Sequence, residues 1–222
     1  MKIVIISDVH NLISKISFPE ADLLLIAGDL TNSGKIKELS KFNQDLEIIK
    51  PLYKYGIVCI SGNHDFALQE QPILAKSLIT NANYIEDQLL EINGIKILGS
   101  PYSKFFYNWA FNLHPGEQLE KEWAKIPNNA DIIMTHGPCY GILDKVPRGE
   151  IVGDKQLLEA ILKIDSAKLV ICGHIHHSYG YHREHNKLFV NGSICDESYR
   201  PINKPIMVEF NPESKMWMVV NY

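Results

Sequence analysis

Seven short apolar runs limit what this chain can become. KIVIISD (2–8), DLLLIAGD (22–29), GIVCISGN (56–63), IKILGS (95–100), DIIMTHG (131–137), KLVICGH (168–174) and KLFVNGS (187–193) are apolar throughout, not alternating, and each stops at a glycine or polar residue. A strand without a polar face must be covered on both sides, so these runs belong in sheets held between other layers. Amphipathic stretches lie between them. In GKIKELSKFNQDLEIIK, Ile36, Leu39, Phe42, Leu46 and Ile49 mark one helical face ahead of Pro51, and GEQLEKEWAKI and DKQLLEAILKI read the same way. Asn93-Gly94 inside LLEINGIKIL is a hairpin signal, and the segment after 179 reads as strand pairs. An early βαβ half followed by a hairpin-rich half predicts an α/β protein with mixed sheets wrapped by helices.

No linker, charge block, repeat or low-complexity segment divides the 222 residues, so the expectation is a single domain over 1–222. A hydrophobic content of 45% supplies a core without disulfides or a structural metal. The net charge is −4, and the only arginines are the scattered Arg148, Arg183 and Arg200. That speaks against a long nucleic-acid track, which needs continuous basic surface, and leaves a small anionic partner. Cys59, Cys139, Cys172 and Cys195 form no CxxC pair and read as free thiols in a reducing compartment. The N-terminal apolar run is too short for a signal peptide and no run approaches a membrane span, which predicts a soluble cytoplasmic protein with no membrane partner.

Nearly every run ends on a residue able to bind a cation: Asp8 and His10, Asp29, Asn63 with His64 and Asp65, His136, then His174 and His176. In an open α/β sheet the carboxyl ends of the strands share one edge, where ligands bind. On an extended backbone, residues two apart point the same way, which would pair Asp8 with His10 and His174 with His176. The donors are oxygen and imidazole nitrogen without thiolate, suiting Mn, Fe or Zn. Asp8, His10, Asp29, Asn63, His136, His174 and His176 are too many ligands for one catalytic ion. Two divalent ions sharing a carboxylate fit better, with Asp29, alone on its strand, as the bridge. Taken singly, each residue has a duller reading: a lone Asp as a cap, Asn63 as a turn residue, His136 as packing. His114, His177, His182 and His185 fall outside the pattern and are expected at the surface or the substrate rim.

DVH (8–10), GDL (28–30), GNHD (62–65), THG (135–137) and GHIH (173–176) resemble the five signature blocks of the calcineurin-like metallophosphoesterases, present in order. GSPYSKFFYNWAFN (99–112), THGPCYGILDKVPRG (135–149) and GHIHHSYG resemble the metallophosphoesterase-domain-containing proteins of vertebrate brain and their bacterial relatives, a group similar to the class III cyclic nucleotide phosphodiesterases. The resemblance implies a four-layer α/β/β/α sandwich of two mixed β-sheets flanked by helices. It implies one metal held by Asp8, His10, Asp29 and His176 and another by Asp29, Asn63, His136 and His174. It leaves His64 free to face the phosphate and protonate the leaving oxygen. GDLTNSG has Asn32 where the protein serine/threonine phosphatases carry an acidic residue, and no arginine after it, a departure from that branch. Cys139 replaces the second proline common after THGP.

Two divalent ions activate a shared water and clamp the phosphate's free oxygens, so that hydroxide attacks phosphorus in line. Imidazole titrates near pH 6.5 and can protonate an alkoxide leaving group, with Asp65 expected to orient His64 or to cap the following helix. Few arginines lean towards a singly charged diester over a dianionic monoester. Tyr102, Phe106, Tyr107 and Trp109 offer a base-stacking surface or belong to the core. The expectation is a phosphodiesterase acting on a small phosphoester substrate, a cyclic nucleotide or similar. The alternatives are a phosphomonoesterase or nucleotide pyrophosphatase, and a metal-binding interaction scaffold.

Overall fold

A computed structural model describes residues 1–214 and 216–222. In chain order the strands are β1 (Lys2–Ile6), β2 (Leu23–Ala27), β3 (Ile57–Ile60), β4 (Asn83–Tyr84), β5 (Gln88–Ile92), β6 (Ile95–Ser100), β7 (Ser103–Lys104) and β8 (Asn112–Leu113), followed by β9 (Ile132–Thr135), β10 (Leu169–Cys172), β11 (Gly180–Glu184), β12 (Lys187–Asn191), β13 (Ile206–Asn211) and β14 (Met216–Val220). The helices are α1 (Ile36–Ile49), α2 (Phe66–Glu70), α3 (Pro72–Ser77), α4 (Glu117–Trp123) and α5 (Lys155–Leu162).

One sheet runs β14-β13-β1-β2-β3-β4 and the other β11-β12-β10-β9-β6-β5, while β7 and β8 form a separate pair. Both sheets are mixed. β1 is parallel to β2 but antiparallel to β13, and β10 is parallel to β9 and β12 while β11 is antiparallel to β12. Each of the seven runs became a strand, and the hairpins fall where expected: Asn93 and Gly94 take φ of 50° and 79° between β5 and β6.

The unbroken apolar runs have a direct cause. Ile3 and Ile5 of β1, Leu23 and Leu25 of β2 and Val58 of β3 meet Ile132, Leu169, Ile171 and Val190 of the facing sheet in a central core. The alternate residues of the same strands, Val4, Ile6, Leu24, Ile26 and Cys59, pack under Leu39, Phe42 and Leu46 of α1. On the far side Ile133, Val170 and Phe189 lie beneath Leu119 and Trp123 of α4 and Leu157 and Ile161 of α5. Helix, sheet, sheet, helix is therefore the layering, and the central strands have two apolar faces because each sheet has two neighbours. Beyond the strands the sheets are stitched together: the Ser7 amide donates to the Gly192 carbonyl at 2.7 Å and the Ile194 amide to the Ser7 carbonyl at 2.9 Å. That seam places the carboxyl ends of both parallel sets over one spot. All four cysteines are free and buried, and among the described residues no helix is long and apolar enough to cross a membrane.

Candidate metal centre

The loops leaving β1, β2, β3, β9 and β10 carry the predicted residues to the seam, but not by strand alternation. Asp8, His10, Asp29 and His174 take φ of 54°, 40°, 51° and 67°, so tight left-handed turns aim the side chains, and His176 opens a single 3-10 turn. Asp8 and His10 do present donor atoms to one group, whereas His174 faces Asn63 and His176 faces Asp8, and the extended backbone expected to pair them is not present. Left-handed backbone at non-glycine residues costs of order 1–3 kcal/mol each and clusters where function over-determines the geometry. Glycines make room for the crowding: a side chain at Gly62 would run into Asp29, and one at Gly173 into Ser7 and Asp8.

Asp8 is fully buried. Its carboxylate accepts from the Ser193 hydroxyl at 2.7 Å and lies 3.4 Å from His176 Nε2. Asp29 sits at the middle: Oδ1 accepts from the His64 amide at 2.8 Å, and Oδ2 lies 3.4 Å from His136 Nε2 and 3.9 Å from His10 Nε2. Asn63 Oδ1 lies 2.9 Å from His136 Nε2 and 2.7 Å from His174 Nδ1. One donor atom from each of Asp8, His10 and His176 lies within 4.8 Å of the others, and the same is true of Asp8, Asp29 and His136 and of His10, Asp29 and His64. All seven predicted ligands therefore converge; Asp8 and Asp29 each belong to two of these groups, and Asp29 Oδ2 faces both His10 and His136.

Backbone carbonyls fix the rings. Nδ1 of His10 points at Thr31 O (3.2 Å), of His136 at Ala27 O (2.9 Å) and of His176 at Asp196 O (2.9 Å). Since a carbonyl can only accept, each Nδ1 carries the hydrogen and each Nε2 is presented inward, the arrangement of metal-ligating histidines. His10 Nε2 is buried without a hydrogen-bond partner, a costly condition that a cation relieves. The donor set of carboxylate, amide oxygen and imidazole fits a divalent transition-metal ion.

His64 is held the same way, with Nδ1 donating to the Asn32 carbonyl at 2.7 Å, and its ring lies 4.3 Å from that of Trp109 at 31°. Asp65 does not orient it. The Asp65 carboxylate is buried behind the site and accepts from the amides of Gly62 (2.8 Å), Leu30 (3.1 Å) and Thr31 (2.9 Å) and from the Thr31 hydroxyl (2.6 Å). Nor does its side chain cap α2. Asp65 ties the β2 loop to the β3 loop because four donors surround it, and main chain replaces it as the orienting group of His64. Of the aromatic set, Phe106 and Trp109 line the cleft, Tyr102 packs on Phe111 and Tyr107 is exposed. Of the four outlying histidines, His177 lines the cleft.

Sequence reasoning missed two contributors. Ser193 ends the seventh apolar run, so the strand-end rule applied to the other runs would have found it. Tyr199 sits in a loop at φ 57°, its ring 4.7 Å from that of His10 and 5.8 Å from that of His64, and no local pattern marks it.

Burial opposes the imidazolium of His136, but Asp29 and then Asp8 outweigh it and its pKa rises to about 9. His176, facing Asp8, likewise rises to about 9 against burial. His174 falls to about 4, since burial and the charge of His136 both resist a proton. Burial would raise the carboxyls of Asp8 and Asp29, yet the facing histidines hold both below the usual range. Chelator-stripped protein is therefore expected to lose stability as pH rises from about 6.5 through about 9. His136 and His176 bind protons more tightly folded than unfolded, so their contribution is complete below the ordinary histidine value and drains away above it. Divalent ions displace those protons, so metal-loaded protein should lack this fall and should release protons on loading. Thermal unfolding with and without chelator across this range checks it; matching pH profiles would show that the two histidines are not proton-loaded.

A layered α/β/β/α fold with carboxylates and imidazoles gathered at its strand ends defines a class of metal-dependent phosphoester hydrolases. The chain belongs to the calcineurin-like phosphoesterase family, which matches residues 1–178. It is 35% identical over 232 residues to metallophosphoesterase domain-containing protein 1 of Homo sapiens, covering 94% of this chain and 70% of that protein. Similarity extends to a 3′,5′-cyclic-nucleotide phosphodiesterase of Nostoc, at 25% identity over 80% of this chain and 64% of that one. The fold is that of a dimetal phosphatase from Danio rerio, with a TM-score of 0.61 at 12% identity over 100% of this chain and 99% of the other.

Proposed function

We propose that the chain is a phosphodiesterase that hydrolyses small phosphodiesters with two divalent cations, Mn, Fe or Zn, and with His64 as general acid. The cations would be held by Asp8, His10, Asp29 and His176 on one side and by Asp29, Asn63, His136 and His174 on the other. When bound, such a pair activates water and neutralises charge on the phosphate. The protein supplies the rest. Thr31, Ala27 and Asp196 carbonyls keep the ligating nitrogens turned inward, Asp29 holds the His64 amide, and the Asn32 carbonyl leaves His64 Nε2 to carry a proton to the departing alkoxide.

The observation that carries the diester preference is the cleft wall. The cleft, of about 260 Å³, is bordered by Phe106, Trp109 and Tyr199 with Glu197 at its rim, and among the described residues includes no lysine or arginine. A dianionic monoester or a pyrophosphate is commonly gripped by a guanidinium fork; a monoanionic diester with a flat substituent suits apolar, aromatic walls. The name of the Nostoc relative makes cyclic nucleotides the first natural diesters to test. Metal-loaded protein is expected to turn over bis-p-nitrophenyl phosphate with kcat/KM at least about tenfold above p-nitrophenyl phosphate. The reverse order would favour a phosphomonoesterase or nucleotide pyrophosphatase, and inactivity on both a metal-binding scaffold.

A further inference from the structure

A second cavity, of about 360 Å³, adjoins the cleft. The two share Phe106, Val146, His174 and Ile175 as walls, so the second cavity lies directly beside the candidate metal centre. Its remaining wall is mostly apolar, with Phe105, Pro138 and Val152 prominent. Of the polar side chains that border it, Asp154 and Ser103 are engaged elsewhere, and Lys104 reaches a carbonyl of the cavity wall. The Asp154 carboxylate accepts from Trp123 Nε1 at 2.6 Å and from the amides of Gln156 and Leu157 at 2.8 and 3.2 Å. Ser103 donates to Asn112 Oδ1 at 3.1 Å, and Lys104 Nζ to the Gly153 carbonyl at 3.3 Å.

From this adjacency and the apolar lining we infer that the second cavity is a specificity subsite for a carbon-rich ester substituent, aryl or branched alkyl, on the phosphodiester turned over next door. The inference rests on the phosphodiester reading and adds the group that the diester carries. The volume falls within the range of about 300–1,000 Å³ typical of small-molecule sites lined by apolar side chains. A sugar or a second phosphate placed there would find Lys104 as the one lining cation and apolar wall over most of its surface, whereas a phenyl ring displaces water from that wall.

Methyl, butyl and phenyl esters of p-nitrophenyl phosphate keep the leaving group constant while the other substituent grows. The phenyl ester is expected to exceed the methyl ester at least about tenfold in kcat/KM, mainly through KM. Val152→Asp sets a carboxylate in the second cavity and should bring that ratio to about one; Val152→Thr, closer in shape, should lower it part of the way and guards against a folding defect. If all esters are hydrolysed with a ratio near one in the unaltered protein, the subsite is overturned and the diester reading stands. If none is hydrolysed, the diester reading fails and the subsite is judged by calorimetry with two inert phosphonates. Phenyl methylphosphonate should bind at least about tenfold more tightly than methyl methylphosphonate, and equal binding overturns the proposal.

Discussion

Replacing His64 with alanine is expected to lower turnover of an alkyl phosphodiester about 100- to 10,000-fold, the range of a positioned general acid, while metal content stays unchanged. The seven proposed ligands do not include His64, and its Nδ1 is committed to the Asn32 carbonyl, so the fold and the cations lose little when the ring goes. What disappears is the nitrogen facing the cleft. The size of the loss should therefore track the leaving group: an alkoxide needs a proton, whereas p-nitrophenolate departs well without one and should suffer much less. Metal analysis and kcat for both ester types on the same preparation make the test. Equal losses on the two leaving groups would mean that His64 binds the phosphate without delivering a proton. Loss of metal in His64→Ala would instead make it a ligand, a role its place within 4.8 Å of His10 and Asp29 donor atoms keeps sterically open.

The layering was readable because unbroken apolar runs have one physical explanation, cover on both faces, and the two buried sets of β1 and β2 supply it. The cluster was readable because parallel strands deliver their carboxyl ends to one edge, so residues as far apart as Asp8 and His174 could be placed together; the His174 amide lies 3.1 Å from the Asp8 carboxylate. What stayed hidden depends on main chain. The carbonyls of Ala27, Thr31, Asn32 and Asp196 that set the histidine rings carry no side-chain signature, and neither do the left-handed turns at Asp8, Asp29 and His174. The role given to Asp65 failed largely for the same reason: GNHD sets it beside His64 in sequence, but its carboxylate is taken up by the Thr31 hydroxyl and by the backbone amides of Gly62, Thr31 and Leu30. Tyr199 and the second cavity depend on loops from distant parts of the chain and have no spacing to read.

Asp29 offers the strongest test of the centre, through two substitutions that separate charge from shape. Asp29→Ala removes the acceptor of the His64 amide, leaving a buried donor unsatisfied at about 1–3 kcal/mol, and also removes the charge that sustains His136. Asp29→Asn keeps an oxygen for the amide and removes only the charge. Both are expected to weaken metal binding more than about 100-fold, beyond what loss of a supporting group produces, and to abolish turnover. Their stabilities should differ, with Asp29→Asn retaining more of the native value because the loop tie survives. In stripped protein both should also bring the raised pKa of His136 down, since burial then acts with less carboxylate to oppose it, so the stability lost between about pH 6.5 and about pH 9 should shrink. The charge and the loop tie are thus predicted to act through different oxygens of one side chain, Oδ2 towards the histidines and Oδ1 towards the His64 amide. An Asp29→Asn protein that kept two equivalents of metal and normal turnover would remove the shared carboxylate from the centre and, with it, the reason for placing two cations there.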